Sequence, residues 1–263
     1  MRRHLAAALL VAAVALPVQA TTFATDASDL WWNPAENGWG VNVAQQADTL
    51  FLTFFVYSPP GNPTWYVASS VSYVGTSNGS VVYSGALYQT DGTWFGSVWN
   101  PSAFGFRQVG TVTFSMDSVS TATLAYTVDG VSVSKRIERQ TWLFNDISGS
   151  YLGATAGTWS GCAVNGYVEE PGTLSITQTI SGTTSNAVLT FTYAGGTCTY
   201  SGPYTQAGRM GSIAGTYSCS DGTGGSFTGL EIEGNISGVT ARGILQSGSC
   251  TWFGRIGGLR RGT

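Results

Sequence analysis

Apolar and polar residues alternate with a period of two along most of this chain, the pattern of strands that bury one face. Between 112 and 116, Val112, Phe114 and Met116 fall on one side and Thr113 and Ser115 on the other. Leu124, Tyr126 and Val128 alternate with Thr123, Ala125 and Thr127, and Asp129-Gly130 then supplies a two-residue hairpin turn. Asn78-Gly79 and Asp91-Gly92 mark further turns. The run TLFLTFFVYS at 49–58 is apolar at both parities, which predicts a strand covered on both faces. No long stretch carries the 3.6-residue period of a helix. The pattern predicts an all-β protein.

The composition changes near NDISGS at 145–150. Seven of the nine tryptophans lie before it, and all four cysteines lie after it. This divides the mature chain into a Trp-rich N-terminal β domain, 21–146, and a disulfide-containing C-terminal β domain, 147–263. Each half shows six to eight strand-like runs between turns, which predicts two antiparallel β lobes in tandem, as small barrels or sandwiches. The halves do not align convincingly with each other, so no repeat is read from the sequence.

The first 20 residues have the form of a secretory signal peptide: a basic start at Arg2 and Arg3, an apolar run from Leu5 to Pro17, and small residues at Val18 and Ala20. The expectation is export to the periplasm or the outside of a bacterial cell, with no membrane-spanning helix in the mature chain. Without the leader the chain has 9 basic and 14 acidic residues, a net charge of −5. No basic stripe is available to displace counterions from phosphates, so nucleic acid is not an expected partner. The one histidine, His4, belongs to the leader. The mature protein therefore has no His for a triad, a proton shuttle or a zinc site, and no cofactor or metal is expected.

Cys162, Cys198, Cys219 and Cys250 form an even set in a chain read as exported, which predicts two disulfides. The stretch 198–219 reads as a hairpin turning at Ala207-Gly208-Arg209-Met210. That register sets Cys198 opposite Cys219 and Tyr200 opposite Tyr217, and leaves Cys162 to pair with Cys250 across the first and last strands of the lobe.

With its WWNPAENGWG stretch at 31–40, the chain resembles a group of secreted bacterial proteins that share a W-N-P-x-E-x-G-W-G core. GTWSGC, CTYSGPYTQAG and GRIGGLRR are similar to that group's C-terminal part. The resemblance implies export and a two-lobe β architecture. It carries over no catalytic residues, since the group has no established activity. The C-terminal lobe also resembles lipocalin-like (calycin) barrels, through Gly157-Thr158-Trp159 near its start and the late base Arg255. That likeness implies a cation packed over the Trp159 ring.

The motif sets one acid, Glu36, among Trp31, Trp32 and Trp39. On the strand 131–139, Val131, Val133, Lys135, Ile137 and Arg139 share a face that the valines and Ile137 mark as inner. Inward bases need partners, so Glu36 is expected in a structural ion pair with Lys135 or Arg139. A role in orienting a ligand overlaps with this one. Catalysis of glycan hydrolysis would need a second carboxylate. Asp26, Asp29, Asp48 and Asp91 lie beside turn or terminal signals, where acids usually face solvent.

Trp31, Trp32, Trp39, Trp65, Trp94 and Trp99 could form an aromatic platform, set against the alternative that they fill a β core. Trp94 and Trp99 are the better ligand-binding candidates, because TDGTWFGSVWNPS reads as a loop. The function expected from these residues is that of a secreted, non-catalytic binding protein with an aromatic site for a small molecule or glycan. The alternative is a structural or protein-interaction module of the cell envelope. A carboxylate-based glycan hydrolase is the third reading.

Overall fold

The computed structural model describes residues 25–181 and 184–262, so the leader expected at 1–20, His4 included, lies outside the described residues. Eight strands make up the first half: β1 (Asp29–Trp32), β2 (Gly40–Gln46), β3 (Thr49–Tyr57), β4 (Pro63–Ser77), β5 (Ser80–Asp91), β6 (Gly105–Met116), β7 (Thr121–Val128) and β8 (Val131–Arg139). Eight more follow: β9 (Gly149–Ser160), β10 (Gly166–Ser181), β11 (Thr184–Tyr193), β12 (Gly196–Ala207), β13 (Met210–Cys219), β14 (Gly224–Gly234), β15 (Gly238–Ser247) and β16 (Cys250–Arg260). One 3-10 turn, Pro101–Ala103, lies between β5 and β6.

Each set of eight forms a closed antiparallel barrel in which every strand pairs with its chain neighbours. β8 returns to β1 and β16 returns to β9. Closure removes the free sheet edges that a sandwich would leave, and it settles the choice between barrel and sandwich. The turns follow their residues: Asn78-Gly79 and Asp129-Gly130 hold positive φ at both positions (51° and 84°, 47° and 86°), as tight hairpins with the right-handed strand twist require.

The period-two pattern places the core. Val112, Phe114 and Met116 face into the first barrel, where they meet Trp31, Leu50, Leu52, Phe54, Leu87, Leu124 and Ile137. Only one face of β3 is covered, contrary to the expectation from its doubly apolar sequence. Leu50, Leu52 and Phe54 are buried, but Phe51, Phe55 and Tyr57 are exposed. A barrel one sheet thick has no second layer to cover its outer face.

The barrels repeat one closing device, which an alignment by residue type does not reveal. In the first, Trp31 on β1 lies opposite Val41 on β2 and Arg139 on β8; in the second, Tyr151 on β9 lies opposite Leu174 on β10 and Arg260 on β16. Arg139 covers the Trp31 ring at 4.7 Å, and Arg260 covers the Tyr151 ring at 5.0 Å. The Trp31 indole donates to the Ala27 carbonyl (2.9 Å), and the Tyr151 hydroxyl donates to that of Ile147 (2.7 Å). Gln45 accepts from the Ala27 N–H (2.7 Å) and Gln178 from that of Ile147 (2.8 Å). Ser28 and Ser148 then accept the amides of Gln45 and Gln178 at 2.8 and 2.9 Å. Asp26-x-Ser28 and Asp146-x-Ser148 close the same side-chain turn at 2.8 Å each. A segment entering each barrel is thus folded over one end and locked there.

These locked ends meet. Arg209, in the β12–β13 turn, donates through its guanidinium to Asp26, Glu233 and the Ser28 carbonyl, and through its amide to Asp29 (2.9 Å). Asp29 also holds Arg139 at 3.1 Å, with both side chains out of solvent. Asp29 is therefore a buried partner, although its place near the start of the first lobe suggested a solvent-facing acid. Gly208 has a φ of 58°, and a Cβ there would lie 2.1 Å from the Asp29 carboxylate, so this turn needs glycine. Thr25 donates to Glu231, which lies in a β14 bulge at a φ of 53° and also takes Arg242 and Arg255.

Candidate functional site

The six tryptophans of the aromatic motif and its neighbours do not come together. Trp31 is fully buried in the core of the first barrel. Trp32 is half-buried on β1, opposite Glu138. Trp65 is exposed on the outer face of β4, opposite Phe55. Trp94 and Trp99 are exposed in the β5–β6 loop, together with Phe95 and Val98. A bond from the Thr93 hydroxyl to the Asn100 carbonyl (2.9 Å) closes the base of that loop.

Trp39 stays with Glu36. Its indole donates to the Glu36 carboxylate at 3.0 Å, Lys135 donates to the same oxygen, and the Lys135 ammonium lies 5.3 Å from the Trp39 ring centre. Of the two bases proposed from the sequence, Lys135 is the one that meets Glu36, while Arg139 is paired with Asp29. Both face inward, as the alternation on β8 requires. The Glu36–Lys135 pair is not deeply buried, however: the Glu36 side chain is 41 % exposed. The hydrogen bond from Lys135 holds the Glu36 carboxyl below its usual range, with a further lowering from Trp39. A general acid needs the opposite shift, so Glu36 in this pair is not poised as one.

Concave space lies in the second barrel. A cavity of about 380 Å³ runs inside it, lined by side chains from the strands that build the barrel. Its wall is aromatic. Phe191 and Tyr193 stack at 5.8 Å, Tyr200 and Tyr217 stack at 5.8 Å, and Trp159 lies 6.4 Å from Trp252. Phe227 meets the Tyr200 ring edge-on at 5.3 Å. Burial pushes the Tyr200 hydroxyl up to about 12, so it stays neutral at any ordinary pH. Cys198–Cys219 and Cys162–Cys250 are both disulfide-bonded, and Cys198, Cys219 and Cys250 line the cavity. Cys198 faces Cys219 and Tyr200 faces Tyr217 in the hairpin register that the turn residues specify.

Small residues occupy several inward positions, and larger neighbours crowd two of them: a Cβ would lie 2.8 Å from Ile213 at Gly229 and 2.9 Å from Trp252 at Gly243. Gly229, Gly243 and Ala241 line the cavity. Gly157 and Gly254 flank the Trp252 ring so closely that a Cβ at either would lie 2.5 Å from it. The cation proposed over Trp159 is not Arg255, which reaches Glu231 at 3.3 Å. In this barrel the cation over a ring is Arg260, over Tyr151. Among the described residues no group of His, Cys, Asp and Glu could hold a metal ion. Comparison with protein-family models, with curated proteins and with solved structures finds no match to this chain.

Tryptophan density draws a reading of the sequence to 31–99, whereas the enclosed aromatic space lies in the other lobe. The usable signal was aromatic residues at inward parity on neighbouring strands, as in Phe191 and Tyr193 on β11 and Tyr200 opposite Tyr217 on β12 and β13.

Proposed function

We propose that this is an exported, non-catalytic binding protein whose C-terminal barrel encloses a small, largely apolar ligand, with the N-terminal barrel as its packed scaffold. The observation that carries this reading is the aromatic cavity of about 380 Å³ in the C-terminal barrel. Its size falls in the range of small-molecule sites, and carbon-rich walls with a few polar groups are the usual composition of such sites. The two disulfides, together with the absence among the described residues of a helix long and apolar enough to cross a membrane, are compatible with export. A largely apolar cavity favours a small molecule over a glycan, whose hydroxyls would go unpaired there.

The test is titration of the oxidised protein with the neutral fluorophore N-phenyl-1-naphthylamine. Saturable probe emission, quenching of tryptophan emission and a raised melting temperature are expected, and all three should be lost in Ala241→Phe. Equal binding by Ala241→Phe, or none by the wild type, sinks the reading.

A second reading, docking to an envelope protein, is favoured by the outer surface of the first barrel, where Phe55, Trp65, Trp94, Phe95, Val98 and Trp99 are exposed. Replacing Trp94, Phe95, Val98 and Trp99 with serine should then abolish partner capture without changing probe binding.

A further inference from the structure

The cavity also carries charged groups in its lining. Its lining includes two carboxylates, Glu170 and Asp221, and a single base, Arg242. The Arg242 guanidinium is turned to Glu231 at 3.4 Å, a carboxylate it shares with Arg255, and its Nε is buried without a partner among the described residues. Glu170 shares in neither of these ion pairs. It follows Val168 at the inward parity of β10, is half-buried, and makes no ion pair or hydrogen bond among the described residues. Asp221 uses one oxygen to accept from the amide and hydroxyl of Thr223, at 2.9 and 2.7 Å. Its other oxygen takes no bond among the described residues. The two acids flank the stacked rings: burial, then Asp221, then Glu170 push the Tyr193 hydroxyl up, and burial and Asp221 do the same to Tyr217.

An unpaired carboxylate beside low-dielectric walls projects its field into the space between them. Aromatic faces add attraction for a cation, and none for an anion. Resting on the binding function proposed above, we infer that the ligand class is a planar, apolar ring system bearing a protonated amine. The ring lies against Tyr200, Tyr217 and Trp252, and the ammonium lies at Glu170.

A matched set of probes on one skeleton tests this: 1-naphthylmethylamine, 1-naphthalenemethanol and 1-naphthoate, titrated by calorimetry into the full oxidised protein at pH 7. The amine should bind about tenfold or more tighter than the alcohol, and the carboxylate most weakly. Glu170→Gln should remove most of the amine's advantage over the alcohol, with an unchanged circular dichroism spectrum showing that the variant is folded. Added salt should shrink the advantage in the wild type and not in the variant. Equal binding of amine and alcohol, a preference for the carboxylate, or a preference that survives Glu170→Gln overturns the ligand class while the apolar cavity stands. Binding of none of the three overturns the cavity reading and this inference with it.

Discussion

Strand register lets the interiors of the two barrels be compared position by position. Leu124 lies opposite Lys135 and Tyr126 opposite Val133 between β7 and β8; at the corresponding places between β15 and β16, Ala241 lies opposite Ile256 and Gly243 opposite Gly254. The same closing device and the same meander therefore enclose different amounts of side chain. In the first barrel Trp31, Phe54, Phe114 and Leu124 pack into one buried cluster. In the second, alanine and glycine stand in this strand pair where the first has a leucine, a tyrosine and a valine, and Trp252 takes part of the room by packing over Gly157, Gly243 and Gly254. The two interiors thus differ at a handful of inward positions, while the closing device at the end is shared. Both disulfides are in the second barrel.

If the two interiors differ in this way, reduction should have the largest effect, and only on the second barrel. The Cys162–Cys250 bond closes a span of 88 residues and Cys198–Cys219 one of 21, and such loops contribute about 4–5 and about 3 kcal/mol, respectively, on a chain-entropy basis. Hydrogen exchange after thiol treatment should show β9–β16 amides losing protection while those of β1–β8 keep it. Uniform loss in both barrels would mean that they fold as one unit.

Next come the two arginines. Arg139→Met strands the buried Asp29 carboxylate and should cost about 3–5 kcal/mol in urea melts. Arg260→Met removes bonds to a neutral carbonyl and hydroxyl (2.9 and 2.8 Å) and should cost about 1–2 kcal/mol. Equal losses would show that coverage of the ring, which the two arginines share, outweighs the charge pairing in which they differ.

The packing contrast itself predicts an asymmetric swap. Leu124→Ala should open a void and cost about 3 kcal/mol. Ala241→Leu, which puts the same side chain at the matching place in the second barrel, should be tolerated to within about 1 kcal/mol and should exclude the naphthylamine probe. A strongly destabilised Ala241→Leu would mean that the cavity is smaller than its walls suggest.

The smallest effect belongs to Glu36→Gln, because its pair with Lys135 stands half in solvent. The Glu36 pKa is depressed in the folded state, so its contribution is fully present above the unfolded glutamate value. That contribution fades as pH falls through the lower folded value. The variant should therefore differ slightly from wild type at pH 7 and not at all at the acid end of the same urea series. A large loss at pH 7 would place the pair deeper than the structure does.

What depends on near neighbours in the chain was legible in the residues alone. Period-two alternation fixed which faces of β6, β7 and β8 turn inward, and with that the inward course of Lys135 and Arg139. Asp129-Gly130 and Ala207-Gly208-Arg209-Met210 fixed hairpin registers, and the second of these fixed the cysteine pairing, because antiparallel register is set by the turn. The exposed outer face of β3 was not legible, since alternation reports apolarity and not whether a second layer exists to cover it. Nor was the partner of Arg139. Asp29 is far from it in sequence, and only closure of β8 onto β1, together with the insertion of the Arg209 turn, brings that acid out of water. The cavity too was decided by tertiary structure. A glycine at an inward position leaves space only if no ring from a facing strand fills it, as Trp252 does over Gly157 and Gly254, and that depends on eight strands closing at once.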